Sequence, residues 1–567
     1  MMYLKYLLAF AITVVVMAGV CSSGATPSVS IGEDWSVPSW VTQYPNSGFF
    51  SESATTKLNI NVSVFDIAWR QVNPSQGVYA TNIPGQVKDL VLDSFAEQNS
   101  TTKPFWMRIW ASGALWAPTW IQSYCNVGVI GVDYDGEGHL PIWNPCVWGQ
   151  LKQLYRYLFI TNNMRADPRL KFIYVPGAFN WCEFDFDIIG NFSTKTGYTY
   201  TEFNTWFQQA MQDLVNIFNG ENTDPSDDYA YKLVYTGEDF PFDVDQWPQA
   251  KNFLARDAVQ KGMGIRTGIT ELSNFHLSQI PAYGYTIDPN GYLVLNKSWP
   301  LQQNPKRVIA TENECYNACG FKVSAANLFY AVKMSNLKAI QMGVNWLYVV
   351  ATDSYIAKYA AHWNWVRLEI GKSASQAYDA WAQLRSAQDT FWSGNSYPLT
   401  WKGMPYVNNY ERYLTQRDVA PGAVTVKGTT KYSKILDPTN GIAYEGRATN
   451  LTSGNNAIVF YLDDEFVSPA NQAATPVTIK VTYLDNQDTT WALQYINVAG
   501  VLTVTDPVVQ AGLTKNLTTA SFSITDAVFK NTVQPGNSDF KLLVTGTKNI
   551  EIWFIRVIKQ TPFLINK

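Results

Sequence analysis

The chain has 567 residues, with 42 Lys and Arg against 46 Asp and Glu, a formal net charge of −4 at neutral pH. That balance supplies no basic stripe for a nucleic acid or an anionic lipid surface. Aromatic residues reach 14%, with 21 Trp, which can serve a large core, a groove that stacks flat rings, or a share of each.

The first predicted element lies outside the fold. Residues 1–5 carry one positive charge, 6–20 form an apolar run, and the small residues Cys-Ser-Ser-Gly-Ala follow at 21–25. This is the pattern of a secretory signal peptide cut near Ala25. The run is short for a membrane span and has no basic stop-transfer flank. A secreted, extracellular protein without membrane attachment after cleavage is expected. About 540 residues then remain, too many for one core, so two or three domains are expected.

From about 58 to 388, short apolar strands alternate with amphipathic helices. Strands are predicted at 62–69, 104–110, 171–179, 232–237, 264–270, 307–311 and 344–350. Helix spacing is found at 147–160, 203–218 and 324–342. A Ser-Ala-Ser-Gln capping box at Ser373 predicts one more helix over 377–387. Strands buried on both faces and alternating with helices mean a parallel sheet. About eight repeats in a segment of this length favour a closed (β/α)8 TIM barrel over 26–422. Seven strands are clear; the eighth is expected near 127–132 or beyond 391.

The pattern changes after about Gly422. Val477-Thr-Ile-Lys-Val-Thr-Tyr483 alternates apolar and polar residues strictly, and similar strands follow at 520–525, 540–545 and 550–558. Residues 423–567 therefore read as an all-β antiparallel sandwich.

Beyond the leader lie Cys125, Cys146, Cys182, Cys315 and Cys319. Two bridges, Cys125–Cys146 and Cys315–Cys319, are possible in an oxidising compartment, although spacing alone does not decide connectivity. Six N-x-S/T sequons, at Asn61, Asn99, Asn191, Asn296, Asn450 and Asn516, suit a glycoprotein. Only His139, His276 and His362 occur, and there is no CxxC, so no zinc site is expected. No phosphate-binding loop is present, and no cofactor is expected.

In a parallel barrel the loops after the strands converge on one face, where chemistry is placed. Four strand ends are informative. One opens the segment Asp66 to Tyr79. Another, Trp106-Met-Arg-Ile-Trp110, carries Arg108 inside an apolar strand. An unpaired Arg there is costly, so a carboxylate partner is expected, either as a structural pair below the site or as a catalytic group that Arg108 orients. The third runs into Glu183, among Phe179, Trp181 and Phe184, where burial would suit a general acid. The fourth, Val308-Ile-Ala-Thr-Glu-Asn-Glu314, ends a buried strand with Glu312 and Glu314 on one face. Glu312, nearer the strand, is the better held. Two carboxylates facing one cleft are the minimum equipment for glycoside hydrolysis; their separation, which sequence does not give, distinguishes retention from inversion. Glu238, ending strand 232–237, is a candidate substrate ligand. Trp110, Trp143, Trp181, Trp346 and Trp363 sit at or past strand ends, where an indole can stack on a sugar.

Three of these segments resemble a family. Trp69-Arg-Gln-Val-Asn-Pro-Ser-Gln-Gly-Val-Tyr79 resembles the first-strand signature W-x-x-L-E-P-x-x-G-x-Y of clan A glycoside hydrolase barrels, especially the beta-galactosidase-like ones, with Asn73 in place of Glu. Leu140-Pro-Ile-Trp-Asn-Pro145 and the strand running toward Glu183 look like the approach to that family's acid/base, with Cys182 where the family has Asn. Thr311-Glu-Asn-Glu314 is similar to its nucleophile motif T-E-N-G. The resemblance implies Glu312 as nucleophile and Glu183 as acid/base, after the seventh and fourth strands, which requires the unseen strand to be an early one. The C-terminal strands resemble the jelly-roll-like, carbohydrate-binding sandwich that follows such barrels.

The function expected is therefore a secreted, retaining glycoside hydrolase acting on a polysaccharide or glycoconjugate. Its catalytic pair is Glu183 and Glu312. Arg108, Trp110, Trp143, Asn180, Trp181, Glu238, Glu314 and Trp346 are its substrate contacts. The alternative is a hydrolase-like lectin of a wall or matrix that binds carbohydrate without cleaving it.

Overall fold

The computed structural model describes residues 25–51, 62–80, 104–132, 136–176, 182, 200–236, 253–267, 280–313, 328–349, 357–385, 400–401, 404–405, 408–428, 431–433, 442–444, 446–467, 474–512 and 514–561. Eight strands run parallel: β1 (Gly48–Phe50), β2 (Ser63–Ala68), β3 (Phe105–Trp110), β4 (Leu170–Tyr174), β5 (Leu233–Thr236), β6 (Gly264–Thr267), β7 (Ile309–Asn313) and β8 (Trp346–Val349). From β2 to β8 each pairs with the next in sequence, and β8 pairs with β1. β1 and β2 meet at a parallel bridge between Phe50 and Val62. There the Ser51 N–H donates to the Val62 carbonyl at 3.2 Å. The sheet is thus curled until its end strands touch.

Alternation along each strand sorts the side chains onto two faces. Phe65, Met107, Ile173, Tyr235, Ile265 and Leu347 point outward, into one apolar cluster shared with residues of the helices. Those helices are α1 (Pro145–Arg156), α2 (Tyr200–Phe218), α3 (Phe253–Gln260), α4 (Leu328–Gln341) and α5 (Ala360–Glu369). Phe50, Val64, Trp106, Phe172, Val234, Ala310 and Trp346 form a second cluster inside the curl. Local signals fix where the helices start. At α1 the Asn144 carboxamide accepts the N–H groups of Cys146 and Val147, and Pro145 occupies the first turn.

Two sequence expectations fail here. The eighth strand is neither at 127–132 nor beyond 391 but at Gly48–Phe50, ahead of the others. Three residues buried on both faces leave no periodicity to detect. Gly131–Val132 instead makes a two-residue antiparallel pair with Gly138–His139, outside the parallel sheet. The helix expected over 377–387 is absent as well. The Ser373 hydroxyl and N–H donate to the Gln376 side chain at 3.1 and 3.2 Å, and the Ala377 N–H donates to the Ser373 carbonyl at 2.8 Å, but this closes only a turn. Asp379–Gln383 follows as a fully buried strand, paired antiparallel with Glu551–Lys559. A distant partner strand overrides a local capping signal.

Two antiparallel sheets form the second body. One is ordered Ser28–Ile31, Leu517–Ile524, Val477–Leu484, Glu551–Lys559, Asp379–Gln383, Tyr410–Arg412; the other runs Leu414–Arg417, Ala457–Leu462, Phe540–Val544, Asp488–Ile496, Leu502–Val504. Their inner faces share a core that includes Ile479, Val481, Trp491, Leu493, Phe522 and Leu542. The sheets draw strands from both sides of residue 422. Within this second body the Arg556 Nε donates to Asp379 at 2.6 Å, and Trp365 of α5 ties the first body to it by donating to the same carboxylate at 2.9 Å. Among the described residues no helix is long and apolar enough to cross a membrane.

Candidate functional site

The C-terminal ends of the parallel strands carry polar side chains on the inner face, one step beyond the apolar cluster. On β2 and β3, Asp66 and Arg108 stand directly opposite in register. Their two hydrogen bonds, Nε to Oδ1 and Nη2 to Oδ2, are both 2.8 Å, a bidentate fork. The Arg108 guanidinium also lies over two indoles, 5.0 Å from Trp106 and 5.2 Å from Trp110. Such stacking suits a delocalised, weakly hydrated cation. The carboxylate partner expected for Arg108 is Asp66.

A second pair stands on β6 and β7. Arg266 registers with Ala310, so Glu312 lies one inward position further on, and the two side chains form an ion pair. Glu312 is 6% exposed and Arg266 5%. The Arg266 guanidinium also sits 5.5 Å from the Tyr174 ring of β4. In the curled sheet, β4 and β5 separate the β2–β3 pair from the β6–β7 pair. The two arginine–carboxylate pairs therefore stand at the same end of the sheet, with Thr236 of β5 between them in strand order and Tyr348 of β8 next to β7.

Cys182 belongs to this rim. Its carbonyl accepts the Thr236 hydroxyl at 2.7 Å, and its Sγ lies 3.3 Å from the Ile109 carbonyl. Its φ of 60° is left-handed, a conformation that costs a non-glycine residue energy and collects at functional sites. The rim continues through 111–144, stapled by a disulfide between Cys125 and Cys146. There Glu137 accepts the Trp116 indole N–H at 3.2 Å, and the Trp116 ring lies 5.6 Å from that of Trp110. Asn73, at the family's Glu position, is 1% exposed. Its amide donates to the carbonyls of Ser75 and Val78, both at 2.8 Å, and shapes the loop after β2.

Of the residues singled out from sequence, Arg108, Trp110 and Glu312 come together at this end. Trp346 lies on the inner face at the start of β8, in the aromatic packing beneath, 5.7 Å from Phe172. Trp143 is a correction. It is 1% exposed and packs edge-on to Phe203 of α2 at 5.9 Å, in the layer between sheet and helices. Trp363, fully buried against Phe49, is core too. Glu183, Asn180, Trp181, Glu238 and Glu314 lie outside the described residues, as do Cys315 and Cys319. Sequence reasoning passed over Asp66 and Arg266. Each is a lone charge within an apolar strand, the signal that picked out Arg108.

No protein family and no curated protein matches the chain. Several solved structures resemble it distantly. An isomalto-dextranase of Arthrobacter globiformis T6, complexed with panose, is 9% identical with a TM-score of 0.30, covering 94% of this chain and 100% of that one. A type I pullulanase of Bacillus subtilis, complexed with maltose, is 8% identical with a TM-score of 0.29, over 91% and 72%. A cycloisomaltooligosaccharide glucanotransferase of a Paenibacillus species is 10% identical with a TM-score of 0.25, over 89% and 57%. Likenesses this slight carry no argument for the present chain.

Proposed function

We propose that this chain is a glycoside hydrolase that cleaves O-glycosidic bonds of a polysaccharide or glycoconjugate. In this reading the curled sheet is a (β/α)8 barrel, Glu312 is the nucleophile and Glu183 the acid/base. The sandwich is a carbohydrate-binding module. The observation that carries the reading is the place of Glu312: inner face, C-terminal end of the seventh of eight parallel strands, beside Arg266. The early β1 meets the requirement that the sequence resemblance imposed, and it makes 170–174 the fourth strand. Glu183 follows Cys182 in the sequence, and Cys182 is anchored on the same rim.

The chemistry follows from two carboxyl groups. Glu312 attacks the anomeric carbon while the glycosidic C–O bond breaks and Glu183 gives its proton to the leaving oxygen. A water then loses a proton to Glu183 and displaces the sugar from Glu312, which regenerates both groups. A guanidinium in contact favours a carboxylate's charged form, the form a nucleophile needs. Arg266 thus prepares Glu312, while the Asp66–Arg108 pair and the Trp110 and Trp116 rings form another wall.

Residues 1–25 are read as a signal peptide, and the Cys125–Cys146 bridge suits the oxidising compartment this implies. The barrel takes up 26–422 and the sandwich 423–567. The strands Ser28–Ile31, Asp379–Gln383, Tyr410–Arg412 and Leu414–Arg417 are lent to the sandwich.

Release of reducing ends from a panel of polysaccharides is the test. Glu183→Gln should lower the rate by roughly 10²–10⁴-fold, and Glu312→Gln by at least as much, with thermal unfolding unchanged. Full activity in Glu312→Gln rejects the nucleophile. Saturable polysaccharide binding by the wild type with no release anywhere in the panel favours the lectin, for which Cys182 in place of Asn is the supporting departure.

A further inference from the structure

A cavity of about 510 Å³ opens at the other end of the parallel sheet, on the seam with the sandwich. Its walls include Ile309 at the start of β7, Leu301, Gln302 and Arg307 from the segment before it, Gln341 at the end of α4, and Arg412 and Tyr413 of the sandwich. Ile309 and Glu312 occupy opposite ends of one strand, about 10 Å apart along it. This is therefore a separate site from the carboxylate rim. Its size is within the ordinary range for small-molecule pockets, ~300–1,000 Å³.

Some polar groups on its walls have no partner. Among the described residues the Gln302 Nε2, Arg307 Nε, Gln341 Oε1 and Arg412 Nε are buried and make no hydrogen bond. Leaving such groups unsatisfied is costly. Four such atoms, three donors and one acceptor, border one cavity, which suits a partner that both accepts and donates.

Charge narrows the choice. Two of the cations on the walls have acids of their own: Arg417 pairs with Glu411 at 2.8 Å, and Lys297 lies 3.6 Å from Glu465. Arg307, Lys372 and Arg412 remain, with Asp463 the one further acid on the walls and Asp228 near Arg307. Glu369 stands behind Lys372 and Arg412, but burial pushes its pKa up to about 8, so it is mostly uncharged at neutral pH. Arg412 itself is held in place, its Nη2 donating to the Lys372 carbonyl at 2.5 Å. Tyr285, Leu293 and Leu301 add an apolar surface.

We propose that the seam cavity is a binding site for a small hydroxylated carboxylate of about the size of a hexuronic acid. The cations at Arg307 and Lys372 take its carboxylate, Gln302 and Gln341 its hydroxyls, and the apolar wall its ring face. Because it joins the barrel to the sandwich, its occupancy stabilises the junction by mass action.

Calorimetric titration of the full chain with sodium glucuronate, glucose and inorganic phosphate tests the proposal. Glucuronate should bind at one site with a Kd on the order of 1 mM or tighter, and both other probes at least about tenfold more weakly. Arg307→Met and Lys372→Met should each weaken glucuronate by about tenfold or more, whereas Glu312→Gln leaves it unchanged. Each variant is first matched to the wild type by thermal unfolding; the two substitutions are independent, so one that folds suffices. No saturable glucuronate binding, equal binding of glucose or of phosphate, or undiminished binding in a folded Arg307→Met or Lys372→Met protein would each overturn the proposal. Loss of glucuronate binding in Glu312→Gln would move the ligand to the carboxylate rim and overturn it too. None of these results depends on whether the chain cleaves polysaccharides.

Discussion

Arg108 and Arg266 each lie inside an apolar strand with a carboxylate one strand away. Water cannot solvate either ion, so each depends on its partner. Removing one member of such a pair leaves the other buried and charged. Arg108→Met should therefore destabilise the fold by roughly 3–5 kcal/mol, read from urea unfolding. The double variant Arg108→Met/Asp66→Leu should lose much less than the two single losses combined, since it leaves no orphan charge. Strict additivity would show that the fork in the structure carries no coupling. The sequence announced Arg108 because a charge amid Trp106, Met107 and Ile109 is conspicuous. It did not announce Asp66 as the partner, because the two are 42 residues apart and meet only through strand register. Trp143 shows the opposite failure. An indole near a strand end is equally suited to a groove or to a core, and only the packing of Phe203 against it places it in the core.

At the scale of elements, the rim 111–144 has little regular structure to stabilise it. Its described residues contain one short helix, Thr119–Cys125, and one two-residue pairing. The Cys125–Cys146 bridge, which closes a sequence separation of 21 residues, ties this rim to the first turn of α1. By loop-closure entropy a bridge of that span contributes about 3 kcal/mol. Cys125→Ser/Cys146→Ser should lower stability by about that amount in denaturant unfolding. If Trp116 belongs to the substrate wall, the same variant should raise KM for polysaccharide more than it lowers kcat. The bridge was one of two pairs the sequence allowed, and spacing alone did not choose it. Helices with repeated apolar spacing, α1 and α2, were legible within a few residues because 3.6-residue periodicity is a local property. The strand Asp379–Gln383 was not, because all five of its residues are buried and such a run has no alternating face to read.

Across the whole molecule, the two bodies meet through charges that neither could bury alone. Glu369 at the end of α5 is fully buried near Asp379, Tyr378, Lys372, Arg412, Arg556 and Lys559. Desolvation outweighs the neighbouring cations and pushes its pKa up to about 8. In the unfolded chain a glutamate titrates near 4.3. The folded state then binds the proton more tightly. Its stabilisation is complete below about pH 4.3 and is lost as pH rises through about 8. Glu369→Gln mimics the protonated form and removes that loss. Its unfolding midpoint should match the wild type at pH 4 and exceed it by at least about 2 °C at pH 8.5; an equal difference at both pH values would show that Glu369 is not the titrating group.

Much of this protein was present in its one-dimensional pattern: an α/β segment before an antiparallel one, seven of eight parallel strands, the main helices, and Arg108 and Glu312 as charges at buried strand ends. These are written in local periodicity and in the cost of burying an ion, which a chain shows without its partners. Tertiary structure alone decided the early eighth strand, the partners of both arginines, the assignment of Asp379–Gln383 to the sandwich, and the cavity on the seam. Each depends on a contact between residues far apart in sequence, and a contact of that kind has an energy only once the backbone has brought its two sides together.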